Sequence, residues 1–275
     1  MSIKKSQEPS AERFLIVRFL KIRDAIMLDL LLVIPTLNEE KYIKEIIIKC
    51  DNTVKRSFHN YRIAIADGGS HDLTQSIVES LGSRYPIDFV SAAMRNERGS
   101  RILYTMSKYR SRLYFFVDAD LAPSMTHFKE AVDASRKGYN LVLGSRYKDK
   151  RMVKRPILRK IVSRSYNKMI NILFSDNIID HQCGFRLFDS GTFKVIKEYS
   201  REKHSAWDTE MILIAISNKL RIKEIPIKWT ERRSKHTSIK RLVGDVSVFI
   251  PSLVRMLYRF KLKNNSNLGR YPNIL

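Results

Sequence analysis

The sequence predicts an α/β protein whose mostly parallel sheet is covered by helices on both faces. Three observations carry this. Strand-like and helix-like segments alternate from Leu30 to Leu143 with short connections. The strand segments are continuous apolar runs rather than alternating ones, as strands buried on both faces require. A polar or acidic cluster follows four of those strands, at the ends where an open α/β sheet takes its ligands.

Taken in order, residues 1–10 are polar, and Ala11–Met27 sets Phe14, Leu15, Val17, Phe19, Leu20 and Ile22 among basic residues, which predicts an amphipathic helix. Leu30–Ile34 is the first strand, stopped by Pro35 and followed by Thr36-Leu37-Asn38-Glu39-Glu40, with a helix over about Lys41–Lys55. Arg62–Ala66 is a second buried strand, broken at Asp67-Gly68-Gly69-Ser70, after which Asp72 is placed to cap a helix towards Leu81. Ile87–Val90 gives a third strand, and Arg95–Arg101 is polar and basic around Gly99. Tyr114-Phe115-Phe116-Val117 then runs straight into Asp118-Ala119-Asp120. A helix over about Ser124–Lys137 returns the chain to Leu141–Leu143, ended by Gly144-Ser145-Arg146. Loops after successive parallel strands leave the sheet at one edge, so Pro35–Glu39, Asp67–Ser70, Asp118–Asp120 and Ser145-Arg146 are expected to face one crevice.

Beyond Arg146 the composition becomes cationic, with Lys148, Lys150, Arg151, Lys154, Arg155, Arg159, Lys160, Arg164 and Lys168 around the single acid Asp149. The later part of this run has helical apolar spacing through Ile157, Ile161, Tyr166, Ile170 and Leu173. Asp180–Arg186 reads as a loop entering a short strand, followed by helices near Thr192–Tyr199 and Asp208–Asn218 and a strand over Ile222–Trp229. The basic segment Glu231–His236 precedes a last amphipathic helix from about Ser238 to Phe260. This order divides the chain into an N-terminal helix (1–28), one domain (29–236, with halves of about 29–147 and 148–236) and a C-terminal helix with tail (237–275).

The composition narrows the partners. Lys+Arg 51 against Asp+Glu 28 gives +23, which favours a polyanionic partner such as nucleic acid, an anionic membrane surface or phosphorylated substrates. Cys50 and Cys183 have no spacing that suggests zinc or a disulfide framework, and no HExxH or Cys/His cluster exists. The apolar stretches Phe14–Val33 and Leu242–Leu257 are each interrupted by charges, so neither predicts a membrane span. A nucleic-acid-binding protein would explain the charge, but no helix-turn-helix, zinc finger or aromatic RNA-binding motif occurs, and carboxylates at a strand end oppose phosphate backbones. No nucleic-acid partner is therefore expected, and a basic nucleic-acid-binding protein stands as the non-enzyme alternative.

Asp118 and Asp120, spaced i, i+2 at the end of an apolar strand, suit a hard divalent cation carrying substrate phosphates. There is no GxxxxGK[ST], and no GxGxxG follows the first strand, so the usual backbone phosphate cradles are missing.

In order, Leu32–Glu40, Asp67-Gly68-Gly69-Ser70-His71-Asp72-Leu73-Thr74 and Asp118-Ala119-Asp120 resemble the family 2 glycosyltransferases with the GT-A (Rossmann-like) fold. Gly144-Ser145-Arg146-Tyr147, Gln182–Phe188, Trp207-Asp208-Thr209-Glu210 and Ile225–Trp229 resemble dolichol-phosphate mannose synthases and dolichyl-phosphate β-glucosyltransferases. The resemblance implies inverting transfer of a hexose, glucose or mannose, from a nucleotide diphosphate sugar such as UDP-glucose or GDP-mannose to a polyprenyl or dolichyl phosphate. It implies donor binding by Pro35, Leu37, Glu39, Ile65, Asp67, Asp118, Ala119 and Asp120, with Ile65 and Asp67 at the base. It further implies Mg²⁺ or Mn²⁺ on Asp118 and Asp120, and donor phosphates gripped by Arg146, Arg232 or Arg233, and Lys235. Asp120 is thereby expected to be essential for transfer. Three positions depart from the family pattern: Leu37 stands where an aromatic is common, Gly68 replaces an Asp, and Ala122 replaces a Gln.

A phosphate monoester acceptor is already anionic and needs positioning more than a general base. The charge and position of Arg186, with Gln182 and with Arg164 on the cationic helix, make them the expected acceptor-binding residues, Arg186 being counted as catalytic. Such a lipid acceptor would bring the protein to the cytoplasmic face of a membrane as a peripheral protein held by its basic amphipathic helices. The alternative within the family is transfer to a hydroxyl of a lipid-linked oligosaccharide or polysaccharide, which would need a base.

Overall fold

The computed structural model describes residues 27–92, 94–120, 122–154, 156–230 and 249–262. The expected helix Ala11–Met27 (its last residue apart), Arg232, Arg233, Lys235 and the first part of the expected helix Ser238–Phe260 lie outside the described residues.

The chain runs β1 (Leu28–Thr36), α1 (Ile43–Val54), β2 (Tyr61–Asp67), α2 (Thr74–Leu81), β3 (Ile87–Ser91), α3 (Arg98–Ser107) and β4 (Ser111–Val117). It continues α4 (Phe128–Arg136), β5 (Leu141–Ser145), β6 (Val153–Lys154), α5 (Ile157–Phe174), β7 (Phe185–Asp189), α6 (Ser190–Tyr199), α7 (Trp207–Ser217), β8 (Ile222–Pro226) and β9 (Trp229–Thr230). Seven strands form one sheet in the order β3-β2-β1-β4-β7-β5-β8. β7 runs antiparallel to both of its neighbours, and the other pairings are parallel. The sheet is therefore mostly parallel, as the apolar runs predict.

Those runs are continuous because each residue is buried on one face or the other. Leu30, Leu32 and Ile34 of β1 join Ile63, Ile65, Phe115 and Val117 in one core, closed by α1 and α4 through Ile43, Ile46, Ile47, Cys50, Phe128 and Ala131. Leu31 and Val33 join Ala64, Ala66, Tyr114 and Phe116 in the second core, closed by α3, α6 and α7 through Ile102, Met106, Ile196, Trp207 and Met211. Trp207 can lie against α3 because the facing residue is Gly99, where an added Cβ would stand 2.5 Å from the Trp207 Cβ.

The expected single strand Ile222–Trp229 is two strands. β8 ends at Pro226, which brings no N–H to a ladder, and β9 leaves the sheet to pair with β6. Residues 249–257 are helical and 258–262 form a π-helical turn. This segment lies along α5 through Tyr166–Phe249 and Phe174–Phe260 ring contacts at 5.0 and 6.5 Å. It is tied to the domain by Arg255 on Glu202 and by Arg259 on Glu210. Among the described residues no helix is long and apolar enough to cross a membrane.

Candidate active site

The carboxyl ends of β1, β2, β4 and β5 bring Thr36, Asp67, Val117 and Ser145 to one edge of the sheet, so the four polar clusters share a crevice as expected. Asp118 leaves β4 with its N–H donating to the Gly184 carbonyl at 3.1 Å. Its carboxylate rests against the same glycine: a Cβ on Gly184 would stand 1.9 Å from Oδ2. The strand end and the loop before β7 are thus in direct contact, and a side chain at 184 would expel the acid. Asp120 turns back, its Oδ1 accepting the Ala122 N–H at 3.0 Å.

The charge of Asp118 is already answered. Arg98, at the start of α3, donates Nη2 to Asp118 Oδ1 at 2.5 Å and Nη1 to Asp208 Oδ2 at 2.7 Å. Burial pulls the Arg98 guanidinium down, but Asp118 and Asp208 outweigh it and hold it above its ordinary value. The two carboxylates that end β4 form a hard-oxygen pair, and the described residues contain no cluster of three or more His, Cys, Asp or Glu. That set fits a divalent cation which fills its remaining positions with substrate phosphates and water, as Mg²⁺ commonly does.

The base end of the crevice differs from expectation. Ile65 is fully buried in the first core, so its side chain is not available to a ligand. Asp67 is buried and holds its own turn: Oδ2 accepts the Gly69 and Ser70 N–H groups at 2.8 Å each, and Oδ1 accepts Ser70 Oγ at 2.5 Å and Thr36 Oγ1 at 3.4 Å. Pro35 is buried as the penultimate residue of β1, Glu39 is buried beyond it with its N–H on Thr74 Oγ1 at 2.8 Å, and Leu37 is half-buried between them. Ala119 is buried between the two acids.

Two arginines assigned to phosphates are occupied elsewhere. Arg146 is buried, and its Nε and Nη2 donate to Asp180 Oδ2 and Oδ1 at 2.8 and 2.7 Å, with the Trp229 ring centroid 5.0 Å away. Burial raises the Asp180 carboxyl, and the Arg146 charge and hydrogen bonds more than reverse this, holding it below the usual range. Arg186 is fully buried inside β7, and donates to the carbonyls of Cys183, Asp208 and His181 at 3.1, 2.5 and 2.5 Å. Its guanidinium ties the loop before β7 to the start of α7, so it is a strut rather than the expected phosphate-binding group. The charge was legible; its three backbone acceptors were not.

Gln182 and Arg164 lie nearer the surface. Gln182 donates to Thr209 Oγ1 at 2.9 Å, and that hydroxyl also meets Tyr166 Oη at 2.8 Å. Exposed Arg164 stacks 5.4 Å over Tyr147, and both line a cavity of about 480 Å³ with Asn167, Lys168, Asn171 and Ile179. Sequence reasoning missed Arg98 and Asp208. The signal was present in a basic segment, Arg95–Arg101, between two parallel strands, where a loop must reach the crevice.

The model of the glycosyl transferase family 2 matches residues 31–197. The chain is 30% identical over 227 residues to dolichyl-phosphate beta-glucosyltransferase ALG5A of Trichomonas vaginalis, covering 78% of this chain and 70% of that protein. It is 24% identical to the dolichyl-phosphate beta-glucosyltransferase of Saccharomyces cerevisiae, covering 72% and 66%. The match to glycosyltransferase AglD of Haloferax volcanii is 28% identical over 213 residues and covers 76% of this chain but 34% of that protein, so the chain spans about a third of this longer relative. Among solved structures, glucosyl-3-phosphoglycerate synthase from Mycobacterium tuberculosis in complex with UDP superposes with a TM-score of 0.63 at 15% identity, covering 86% of this chain and 83% of that one. The same enzyme with Mn²⁺, UDP-glucose and phosphoglyceric acid gives a TM-score of 0.61 at 16% identity, covering 86% and 82%. The acid-ended central strand, the sheet order and the matched span together identify this chain as a member of glycosyl transferase family 2, a glycosyltransferase with the GT-A fold.

Proposed function

We propose that this protein transfers a hexose from a nucleotide diphosphate sugar to a polyprenyl phosphate, dolichyl phosphate being the type, at a membrane surface. The observation that carries the proposal is the contact between Asp118 and Gly184, which joins the metal-type carboxylates of the donor half to the loop and basic helix of the acceptor half. Relatives named as dolichyl-phosphate beta-glucosyltransferases support the acceptor class and favour glucose over mannose, hence UDP-glucose over GDP-mannose.

In the reaction an oxygen of the acceptor phosphate forms the bond to the anomeric carbon while the bond from that carbon to the nucleoside diphosphate breaks. The nucleoside diphosphate leaves, and the anomeric configuration inverts. Asp118 and Asp120 would hold Mg²⁺ or Mn²⁺, which neutralises charge on the leaving diphosphate. The GT-A relative with Mn²⁺ and UDP-glucose supports a divalent ion of this kind. Arg98 fixes Asp118, and Arg146 is fixed by Asp180, so these cations shape the site by holding acids and loops. Pro35, Leu37 and Glu39 would flank the donor, while Gln182 and Arg164, the latter lining the 480 Å³ cavity, would serve the acceptor.

α5 and residues 249–262 supply the membrane face. Ile157 and Ile172 are 74% and 68% exposed, and Val254 and Leu262 are 61% and 65% exposed. Lys160, Arg164 and Lys168 lie on the same helix as the first two, and polybasic segments gain about 1 kcal/mol per Lys or Arg near an anionic surface. The deciding experiment offers the full chain a panel of labelled nucleotide sugars with polyprenyl phosphate and Mg²⁺ or Mn²⁺, and follows label into the lipid phase. Label in an acid-labile lipid phosphodiester is the expected result. Label appearing only on a hydroxyl acceptor would overturn it.

A further inference from the structure

One buried cation at the crevice has no task in the reaction so far. Arg101 lies on α3 one turn after Arg98 and is 5% exposed. Its guanidinium reaches over the carboxyl ends of β1 and β2. A Cβ on Gly68, the residue after β2, would stand 1.7 Å from Arg101 Nη1, and the same point lies 3.5 Å from the carbonyl of Thr36, the last residue of β1. Gly68 is thus small because Arg101 occupies its side-chain space.

The guanidinium is poorly satisfied there. Nε has no hydrogen-bond partner, and Nη1 reaches the Met94 carbonyl at 3.4 Å. Burial and the Arg98 charge pull Arg101 below its ordinary value, against the opposing pull of Asp67. Asp67 does not satisfy it with a hydrogen bond, because its two oxygens already serve Gly69, Ser70 and Thr36. Leaving a buried donor unpaired is costly, so a cation held in this way beside a ligand crevice indicates a ligand acceptor.

From this geometry, and resting on the donor reading above, we infer that Arg101 reads the base of the nucleotide sugar by donating a hydrogen bond to a ring oxo group. Arginine offers donors and no acceptor. Uracil and guanine present an oxo group where cytosine and adenine present an amino donor, which faces the guanidinium donor to donor. The donor class is therefore UDP- or GDP-linked sugars, with CDP- and ADP-linked sugars rejected at this contact.

The test is calorimetric binding of UDP, CDP, GDP and ADP, with Mn²⁺ present, to the full chain and to Arg101→Met, which keeps an apolar stem over Gly68. Wild type is expected to favour UDP over CDP and GDP over ADP by about tenfold or more, the size of one good base contact. Arg101→Met is expected to lose most of that preference. Equal binding of UDP and CDP by wild type, or one common factor of weakening for all four nucleotides in the variant, overturns the inference. Failure of wild type to bind any of the four would instead count against the glycosyltransferase donor site itself. Gly68→Ala supplies a second arm: it should weaken UDP binding in the wild-type background and have little further effect in an Arg101→Ala background, while losses that simply add would also overturn the assignment.

Discussion

Arg98 Nη2 stands 2.5 Å from Asp118 Oδ1, so a fixed cation shares one of the two acids that end β4. Removing it leaves Asp118 without this counter-charge and Asp208 with Arg186, whose Nη2 stands 3.6 Å from Asp208 Oδ1. Arg98→Met should lower the melting temperature, since a hydrogen bond to a charged group contributes about 1.5–3 kcal/mol. Mn²⁺ should then raise the melting temperature of the variant by more than that of wild type, because the ion replaces the missing charge. Thermal unfolding with and without Mn²⁺ reads both effects; identical Mn²⁺ shifts would mean that Arg98 and the metal do not share Asp118.

Asp180 and Arg146 predict an acid-side loss of stability. The folded-state pKa of Asp180 is depressed, so above the unfolded aspartate value of about 3.9 the pair contributes in full. As pH falls below that value the unfolded chain takes up a proton that the folded chain refuses, and the contribution drains until the folded carboxyl also protonates. Asp180→Asn should therefore cost about 3 kcal/mol at pH 7, the usual result of stranding one member of a buried pair. The cost should shrink as pH falls below about 4. Urea unfolding at several pH values measures it; a cost independent of pH would refute the assignment.

Glu224 titrates the other way. Burial raises its carboxyl despite hydrogen bonds from the Ile179 and Asp180 N–H groups. A raised folded pKa means stability held at low pH and lost as pH rises through that value. Glu224→Gln should accordingly gain on wild type between pH 4 and pH 8, in the same urea measurement. A constant difference across that range would contradict the sign.

Arg186 separates a strut from a ligand contact. Arg186→Met leaves the carbonyls of Cys183, Asp208 and His181 without their donor, and the loss of several buried hydrogen bonds should remove about 3 kcal/mol of stability or more. At a temperature where the variant remains folded, its KM for polyprenyl phosphate should match wild type. A raised acceptor KM with unchanged stability would restore the phosphate-binding role.

The exposed apolar residues of α5 and of 249–262 can be altered without touching either core. Ile172→Glu and Val254→Glu should keep the melting temperature within about 1 °C, as surface changes of a few tenths of a kcal/mol do. Both should weaken sedimentation with anionic vesicles by tenfold or more, since each removes an apolar contact and sets a negative charge against the surface. Undiminished vesicle binding by the double variant would place the membrane contact elsewhere on the chain.

The sheet and its crevice were legible because apolar runs such as Leu30–Ile34 and Tyr114–Val117 can only be buried on two faces. Asp118 and Asp120 were legible because acids that end such a run have no structural need to be there. The partners of Arg146 and Arg186 were not. A basic residue near a site looks the same in sequence whether it faces a phosphate or is consumed by Asp180 or by three carbonyls from distant segments. Nor does Phe185-Arg186-Leu187-Phe188-Asp189 state its direction: β7 turns out antiparallel, and that reversal is what carries its preceding loop to Asp118. Arg101 was hidden for a related reason, since the space it fills belongs to a glycine on another element.

The antiparallel β7 also orders events in time. The β1–β4 pairing already joins Leu28 to Ser111 but can form as soon as β4 is made, whereas the Val117–Phe185 register must wait until α4, β5 and α5 have also been made. Such long-range pairing is slow to form. While it is pending, a ribosome-bound chain carries Asp118 and Asp120 on an open sheet flank with no opposing wall, and the unsatisfied edge of β4 is a hazard that early docking of α3 does not remove. The residues that join the two halves of the site are thus among the last to meet, so nascent chains stalled before Phe185 should be rich in chaperone contacts and should gain protease resistance only once β7 has been added.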